Sequence, residues 1–248
     1  MPCRRSKIPP RLGAPPIATT LLTGADGTIG TILRRELADL ELRLLTRAPI
    51  DAPSHVADIA DLDAIRPAFE GVSAVIHLAA EASPQAGWEE LRGPNLEGVR
   101  NVFEAARQAG VRRVVYASSS HVVAGHERAA APQLYELDDR RTFGVDIPVW
   151  PDSLYGATKA FGEAIARWYA DAHDMDVVCL RIGWVWDGPD EEFMAAPDDA
   201  ALTDEQRRFR RRSRAIWLSQ HDCGELFRRA LVADVRWALV YATSDNPR

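Results

Sequence analysis

Two hydrophobic periods alternate along this chain. Short, nearly continuous apolar runs recur at 17–22, 42–45, 72–78, 111–116, 177–182 and 238–241, and a more mixed one at 55–59. Runs of that length, bounded by glycine, serine or charge, predict strands, and the near-continuous ones are those of a doubly covered parallel sheet. Between them apolar residues return at helical spacing. Ile32, Leu33, Leu37 and Leu40 share one face, and Val99, Val102, Phe103 and Ala106 share another in a run that opens at Asn95. Further helices are predicted over about 61–70, 155–172 and 220–233. Strand and helix in strict alternation predict an α/β fold, a Rossmann-type doubly wound parallel sheet in a single domain.

Three segments stand outside the alternation. Residues 1–16 carry Arg4, Arg5, Lys7 and Arg11 among five prolines and no apolar stretch, which reads as a disordered tail or a mis-called start, leaving 17–248 as the domain. Residues 122–154 are rich in proline, aspartate and arginine and are expected to be loop over the site. Residues 187–214 begin acidic (Asp187, Asp190, Glu191, Glu192) and end basic (Arg207, Arg208, Arg210, Arg211, Arg212, Arg214). They read as a small substrate-side insertion with a helix from about Thr203. Its charges form either a solvated face or an anion clamp or nucleic-acid patch, and the neighbouring acids cancel much of the field.

Composition narrows the function. The 248 residues suffice for one large domain, and 46% hydrophobic content is that of a globular protein. A net charge of −6 argues against a chain built to bind nucleic acid. Three scattered cysteines, Cys3, Cys179 and Cys223, fit neither a disulfide framework nor a metal site, so no metal and a reducing cytoplasm are expected. No apolar run approaches the ~18 residues of a membrane span.

The candidate chemistry lies where strands end. Thr23-Gly24-Ala-Asp-Gly27-Thr28-Ile29-Gly30 joins the first strand to the first helix. The first glycine permits a tight turn, the second lets backbone approach a pyrophosphate, and the third lets helix pack on sheet. At the end of the second strand, where an NAD-binding fold often has an acid for the ribose hydroxyls, stand Thr46 and Arg47. A cation there leans toward a 2′-phosphate and NADP; the alternative is a solvated arginine. Asp58 and Ile59 end the third strand, with the acid in reach of an adenine amino group. Leu78, Ala79 and Ala80 end the fourth and are small enough for a cofactor to lie close. Ala117-Ser118-Ser119-Ser120-His121 ends the fifth, and Arg181-Ile182-Gly183 the sixth.

Tyr155-Gly-Ala-Thr-Lys159 opens the long helix. The chain has only two lysines, Lys7 and Lys159, yet places one four residues after a tyrosine. That spacing puts both side chains on one helical face, where an ammonium favours phenolate and lowers the tyrosine pKa from its usual ~10. A phenol so tuned can take a proton from an alcohol. The bland alternative is a helix start with a surface lysine.

Together these residues resemble the extended short-chain dehydrogenase/reductases, the NAD(P)-dependent epimerase/dehydratase group. The carriers are the glycine turn, Asp58, His77-Leu-Ala-Ala80, Asn95 with Gly98, Ser118-Ser-Ser120 and Tyr155-x-x-x-Lys159. Within it, Ala117-Ser-Ser-Ser-His121, Pro151-Asp-Ser-Leu-Tyr-Gly156, Arg181-Ile-Gly183, Trp217-Leu-Ser219 with Asp222, and Tyr241-x-x-Ser244-x-Asn246 resemble uronate dehydrogenases and haloarchaeal NAD-dependent glucose-6-phosphate dehydrogenases. The resemblance implies oxidation of an aldose at C1, a uronate or sugar phosphate, with NAD or NADP. Tyr155 would be the base, Lys159 its tuner and ribose ligand, and Ser119 the group binding the reacting hydroxyl. Ser120, His121 and Arg181 would contact substrate, Arg181 by pairing a carboxylate unless it is simply an arginine ending a buried strand. Gly24, Gly27, Thr28, Ile29, Gly30, Thr46, Arg47, Asp58, Ile59, Leu78, Ala79, Ala80, Asn95, Ala117, Tyr155, Lys159 and Ile182 would line the cofactor. A small-molecule partner and a homo-oligomer are expected. Three departures are visible: Thr46 for the acid, a long 187–214 segment, and an end at Arg248 where relatives continue. The rival readings are a sugar-nucleotide epimerase or dehydratase and a non-catalytic dinucleotide sensor. The first usually has a larger C-terminal region, and the second commonly lacks the Tyr/Lys pair.

Overall fold

A computed structural model of the chain describes residues 18–136, 138–194 and 202–246, so the segment 1–16 lies outside the described residues. Seven strands form one sheet: β1 (Thr19–Thr23), β2 (Glu41–Thr46), β3 (His55–Val56), β4 (Ala74–His77), β5 (Arg113–Ser119), β6 (Asp176–Ile182) and β7 (Trp237–Ala242). Every pairing is parallel and the order is β3-β2-β1-β4-β5-β6-β7. The chain therefore starts in the middle, builds outward to β3, then reverses at β4. The gap between the carboxyl ends of β1 and β4 is the switch point where an open α/β sheet takes its ligand.

The strands are apolar on both sides because both sides are covered. On one face α4 (Val99–Gln108) and α6 (Leu154–Ala172) enclose Leu21, Phe69, Val75, Phe103, Val114 and Tyr169. On the other, α1 (Thr28–Glu36) and α9 (Gln220–Val232) enclose Leu22, Leu33, Ile76, Val115, Leu180 and Phe227. Each helix stripe read from the sequence meets one of these two layers. The third expected strand is shorter than its apolar pattern, ending at Val56, since Asp58 and Asp61 turn the chain into α2 (Leu62–Ile65), with Asp61 capping the backbone N–H groups of Asp63 and Ala64. The helix expected over 61–70 closes as a 3-10 turn, Arg66–Phe69, with Pro67 in its first positions.

Two other expectations need correction. The helical run expected from Asn95 begins earlier: α3 (Trp88–Leu91) passes through a π-helical stretch, Arg92–Gly98, into α4. Pro94 sits inside that stretch and has no N–H to give an ordinary helical turn. Residues 122–154 are not all loop, because alanine-rich α5 (Ala124–Ala130) packs under Trp150, where the Gly125 N–H donates to the Trp150 carbonyl. In the substrate-side segment α7 (Asp190–Met194) is followed by α8 (Asp204–Ala215), capped reciprocally by Thr203 and Gln206. Residues 195–201 of that segment lie outside the described residues. None of the helices described is long and apolar enough to cross a membrane.

Candidate active site

The glycine turn is forced by contact as well as by conformation. Gly24 has φ +67°, and a Cβ there would stand 2.7 Å from the Ala79 nitrogen. A Cβ on Gly30 would stand 2.3 Å from the Gly24 carbonyl oxygen, so this glycine lets α1 pack against the turn. Gly27 is different: a Cβ would meet only the Gly24 oxygen, at 3.6 Å. Gly27 also caps α1 and has no side chain to fill the space before the helix N-terminus. Two close-packed glycines and one open position leave backbone and helix terminus facing a cleft, which suits a pyrophosphate.

That cleft has a volume of about 570 Å³ and runs from the carboxyl end of β2 to that of β6. Its far end holds Thr46, Arg47, Asp58 and Ile59; its floor holds Leu78, Ala79, Ala80 and Ala117. Thr28, Ile29 and Ile182 line it as well, and Ser119, Tyr155 and Lys159 close its near end. The sequence-assigned cofactor residues thus converge on one cavity, with one exception. Asn95 is buried outside the lining. Its side chain accepts from the Glu81 N–H (2.8 Å) and donates to the Glu81 carbonyl (2.9 Å) and to Thr158 Oγ1 (3.0 Å). It fastens the loop after β4 to α6, a positioning role rather than a cofactor contact.

Tyr155, Lys159 and Glu163 share one buried face of α6 at successive turns. Lys159 Nζ donates to the Ala117 carbonyl at 2.8 Å and lies 5.8 Å from the centre of the Tyr155 ring. Burial lowers the Lys159 ammonium to about 8, still mostly charged at neutral pH. The expected depression of Tyr155 is not the net result. Burial pushes the phenol up, the Ser119 hydroxyl hydrogen-bonded to it pulls it down, and the Glu81 carboxylate pushes it further up. Desolvation of a phenolate is the largest of these effects, and the Lys159 ammonium is directed at a backbone carbonyl.

The substrate-contact assignments divide. Ser119 is in the cleft beside the phenol, and its hydroxyl also accepts from the His121 N–H. Ser120 and His121 are outside the cleft lining. The His121 ring stands edge-on to Tyr155 (centroids 5.6 Å), and its Nδ1 is 2.9 Å from each oxygen of Asp152. Arg181 is the correction. It is 2% exposed, and its Nε and Nη2 donate to the two oxygens of Glu163 at 2.8 and 2.9 Å. Ser118 donates to the same carboxylate at 2.6 Å. Arg181 is the structural arginine of a buried strand, and losing one partner of such a pair costs about 3–5 kcal/mol.

Several site residues escaped sequence reasoning. Glu81 follows Ala79-Ala80 directly and contiguity alone could have raised it; Glu163 continues the Tyr155/Lys159 face by one turn. Trp184 lines the cleft just past Gly183. Nothing local announces it, because its place depends on Phe209 of α8, against which its ring packs edge-to-face at 5.6 Å. The subgroup-like residues near the end of the chain form a clamp: the Ser219 N–H donates to Ser244 Oγ (2.9 Å), Ser244 donates to Asp222, and Asn246 donates to the Trp217 carbonyl (2.7 Å).

A parallel sheet with a glycine turn at its switch point and a buried Tyr/Lys pair at the cleft's end defines a dinucleotide-binding α/β protein of the short-chain dehydrogenase/reductase kind. Residues 20–196 match the NAD dependent epimerase/dehydratase family, and the chain belongs to that family. It is 36% identical over 242 residues to the NAD-dependent glucose-6-phosphate dehydrogenase of Haloferax volcanii, covering 92% of this chain and 86% of that protein. It is 37% identical over 222 residues to the L-arabinose 1-dehydrogenase (NAD(P)(+)) of the same organism, covering 88% and 84%. With the uronate dehydrogenase of Pseudomonas syringae pv. tomato the identity is 34% over 241 residues, 93% of this chain and 76% of that one. Among solved structures, the uronate dehydrogenase from Agrobacterium tumefaciens superposes with a TM-score of 0.73 at 29% identity, over 92% of this chain and 77% of that one.

Proposed function

We propose that this protein is an NAD(P)-dependent dehydrogenase that oxidises an aldose at C1, with Tyr155 as the proton acceptor. The observation that carries the reading is the convergence of Ser119, Tyr155 and Lys159 on the end of a cleft whose other end is a glycine turn at a helix N-terminus. Relatives named for glucose 6-phosphate, arabinose and uronate oxidation supply the substrate class. Gly27, Ala79 and Lys159 would hold a nicotinamide dinucleotide, which would supply the hydride acceptor when bound. The protein's own part is positional and acid–base. Ser119 holds the reacting hydroxyl by hydrogen bonding, and the Tyr155 oxygen takes its proton. Lys159, anchored on the Ala117 carbonyl, keeps a cation in a site where burial disfavours phenolate. Asn95 holds the Glu81 loop against α6, so the site's two sides keep their spacing. NAD and NADP are both accepted, since buried Thr46 brings no acid to repel a 2′-phosphate and exposed Arg47 stands at the mouth of the cleft.

The test is reduction of each nicotinamide, followed by absorbance, with a panel of aldoses, uronates and sugar phosphates. The Tyr155→Phe variant should lose about 10²–10⁴-fold in turnover and keep its cofactor affinity. A Tyr155→Phe enzyme with most of its wild-type rate would refute the tyrosine base. A sugar-nucleotide converted with no net reduction of cofactor would favour an epimerase instead.

A further inference from the structure

The sugar end of the cleft is short of usable positive charge. Two basic side chains line the cavity, Arg47 and Lys159. Arg47 lies past β2, with β1 and β4 between it and the strand that bears Ser119. Lys159 is directed at the Ala117 carbonyl. Three basic side chains, from β6, from α8 and from the turn after β5, are each hydrogen-bonded to a carboxylate of the fold. Arg181 is forked on Glu163, Arg212 Nε is 2.6 Å from Glu127, and His121 is bound to both oxygens of Asp152. Arg211, from the same helix as Arg212, donates to the Tyr135 carbonyl at 2.7 Å.

What does face the near end is acidic or aromatic. Glu81 lines the cleft, and its charge acts on the Tyr155 phenol. Trp184 lines it from the other side, braced by the Phe209 ring packed edge-to-face against it. An aromatic face fits the C–H face of a sugar ring. A carboxylate or phosphate placed there would meet the Glu81 carboxylate, while among the described residues the basic side chains lining the cavity, Arg47 and Lys159, are two strands away or turned to a backbone carbonyl.

We propose that the site selects a neutral aldose over its uronate or phosphorylated counterpart, with Glu81 and Trp184 as the selecting residues. This rests on the aldose dehydrogenase reading above. The chemistry named is that of an uncharged pentose or hexose presenting its C1 hydroxyl to Ser119 and Tyr155. It replaces the sequence-based expectation of an anionic sugar, whose one assigned receptor, Arg181, is engaged by Glu163.

The experiment compares matched sugars on the purified full-length protein with NAD and with NADP: glucose, glucuronate and glucose 6-phosphate; galactose, galacturonate and L-arabinose, which keeps the galactose ring substituents but lacks C6. The neutral sugars of each set should have a higher kcat/KM than the charged ones by roughly tenfold or more. Glu81→Gln should narrow that ratio severalfold, and Trp184→Ala should raise KM for the neutral sugars more than it lowers kcat. A preference of tenfold or more for a uronate or a phosphate would overturn the proposal while leaving the dehydrogenase reading in place. A neutral preference that Glu81→Gln leaves unmoved would overturn the assignment to Glu81. If no aldose of any charge is oxidised while the cofactor still binds, measured by nicotinamide fluorescence, both readings fall together.

Discussion

The two ends of the cleft are built by different means. At the dinucleotide end the determinants are backbone: glycines at contact distance, a helix N-terminus, small residues after β4. At the sugar end they are side chains joined across long stretches of chain, Glu163 to Arg181, Glu127 to Arg212, Asp152 to His121. The first kind of site tolerates little change in shape, and its occupant is set by the fold. The second can exchange partners and so change its substrate while the sheet beneath stays the same. Relatives of similar overall identity bear the names of three different sugar oxidations, as such a division predicts.

Substitutions at the dinucleotide end should therefore be the most damaging. Gly30→Ala places a methyl group 2.3 Å from the Gly24 carbonyl oxygen and 2.7 Å from Ala25, all backbone that cannot swing aside. It should abolish cofactor binding or folding outright, read by calorimetric titration and circular dichroism. Gly144→Ala, where nothing lies within 4 Å, is the control and should be close to neutral.

At the sugar end the largest effect is on stability. Glu163→Ala leaves Arg181 buried without its partner and should cost about 3–5 kcal/mol in denaturant unfolding. The double change Glu163→Met with Arg181→Met should recover most of that loss, because the pair's own net contribution is small once both charges are gone. A double variant as unstable as the single one would mean that the ion pair specifies the near end's shape.

A pH prediction separates the layers beneath the two ends. His77, at the end of β4, is fully buried with Nδ1 2.9 Å from Thr23 Oγ1, and burial first, then Lys159, holds it down to about 3. The unfolded chain takes up this proton near pH 6.5 and the folded one does not. Stability is therefore complete above ~6.5 and falls as pH drops from there toward about 3, at up to about 1.4 kcal/mol per pH unit from this residue. His77→Gln should flatten that part of the stability curve, measured by thermal unfolding from about pH 4 to about pH 7.

Cofactor choice is the smallest of the expected effects. Thr46→Asp should move the ratio of catalytic efficiencies toward NAD by about tenfold to a hundredfold, the worth of one charge-assisted contact of about 1.5–3 kcal/mol. A ratio already favouring NAD tenfold and unmoved by the new acid would remove Arg47 from the cofactor's recognition.

The contrast also explains what could be read in advance. The strand positions, the glycine turn, Lys159 behind Tyr155 and the alanines after β4 follow from local rules, because each depends on neighbours within a few residues. Asp58 lines the cleft although the strand it was expected to end stops at Val56. Arg181 was misread because its partner lies 18 residues earlier on another element, and a strand pattern says nothing of what the end residue meets. Trp184 depends on α8, and α5 was hidden by the prolines that follow it. The tyrosine's pKa was misjudged in sign because spacing reveals the nearby lysine but not the burial that opposes it.

The central claim is that hydride leaves C1 of an aldose while Tyr155 takes the hydroxyl proton. The direct measurement is to supply an oxidisable aldose carrying deuterium at C1 and analyse the reduced nicotinamide by mass spectrometry. The account predicts one deuterium on the nicotinamide ring, net accumulation of reduced cofactor with wild type, and near-complete loss of both with Tyr155→Phe. Reduced cofactor without deuterium, or sugar turnover without accumulated reduced cofactor, would contradict it.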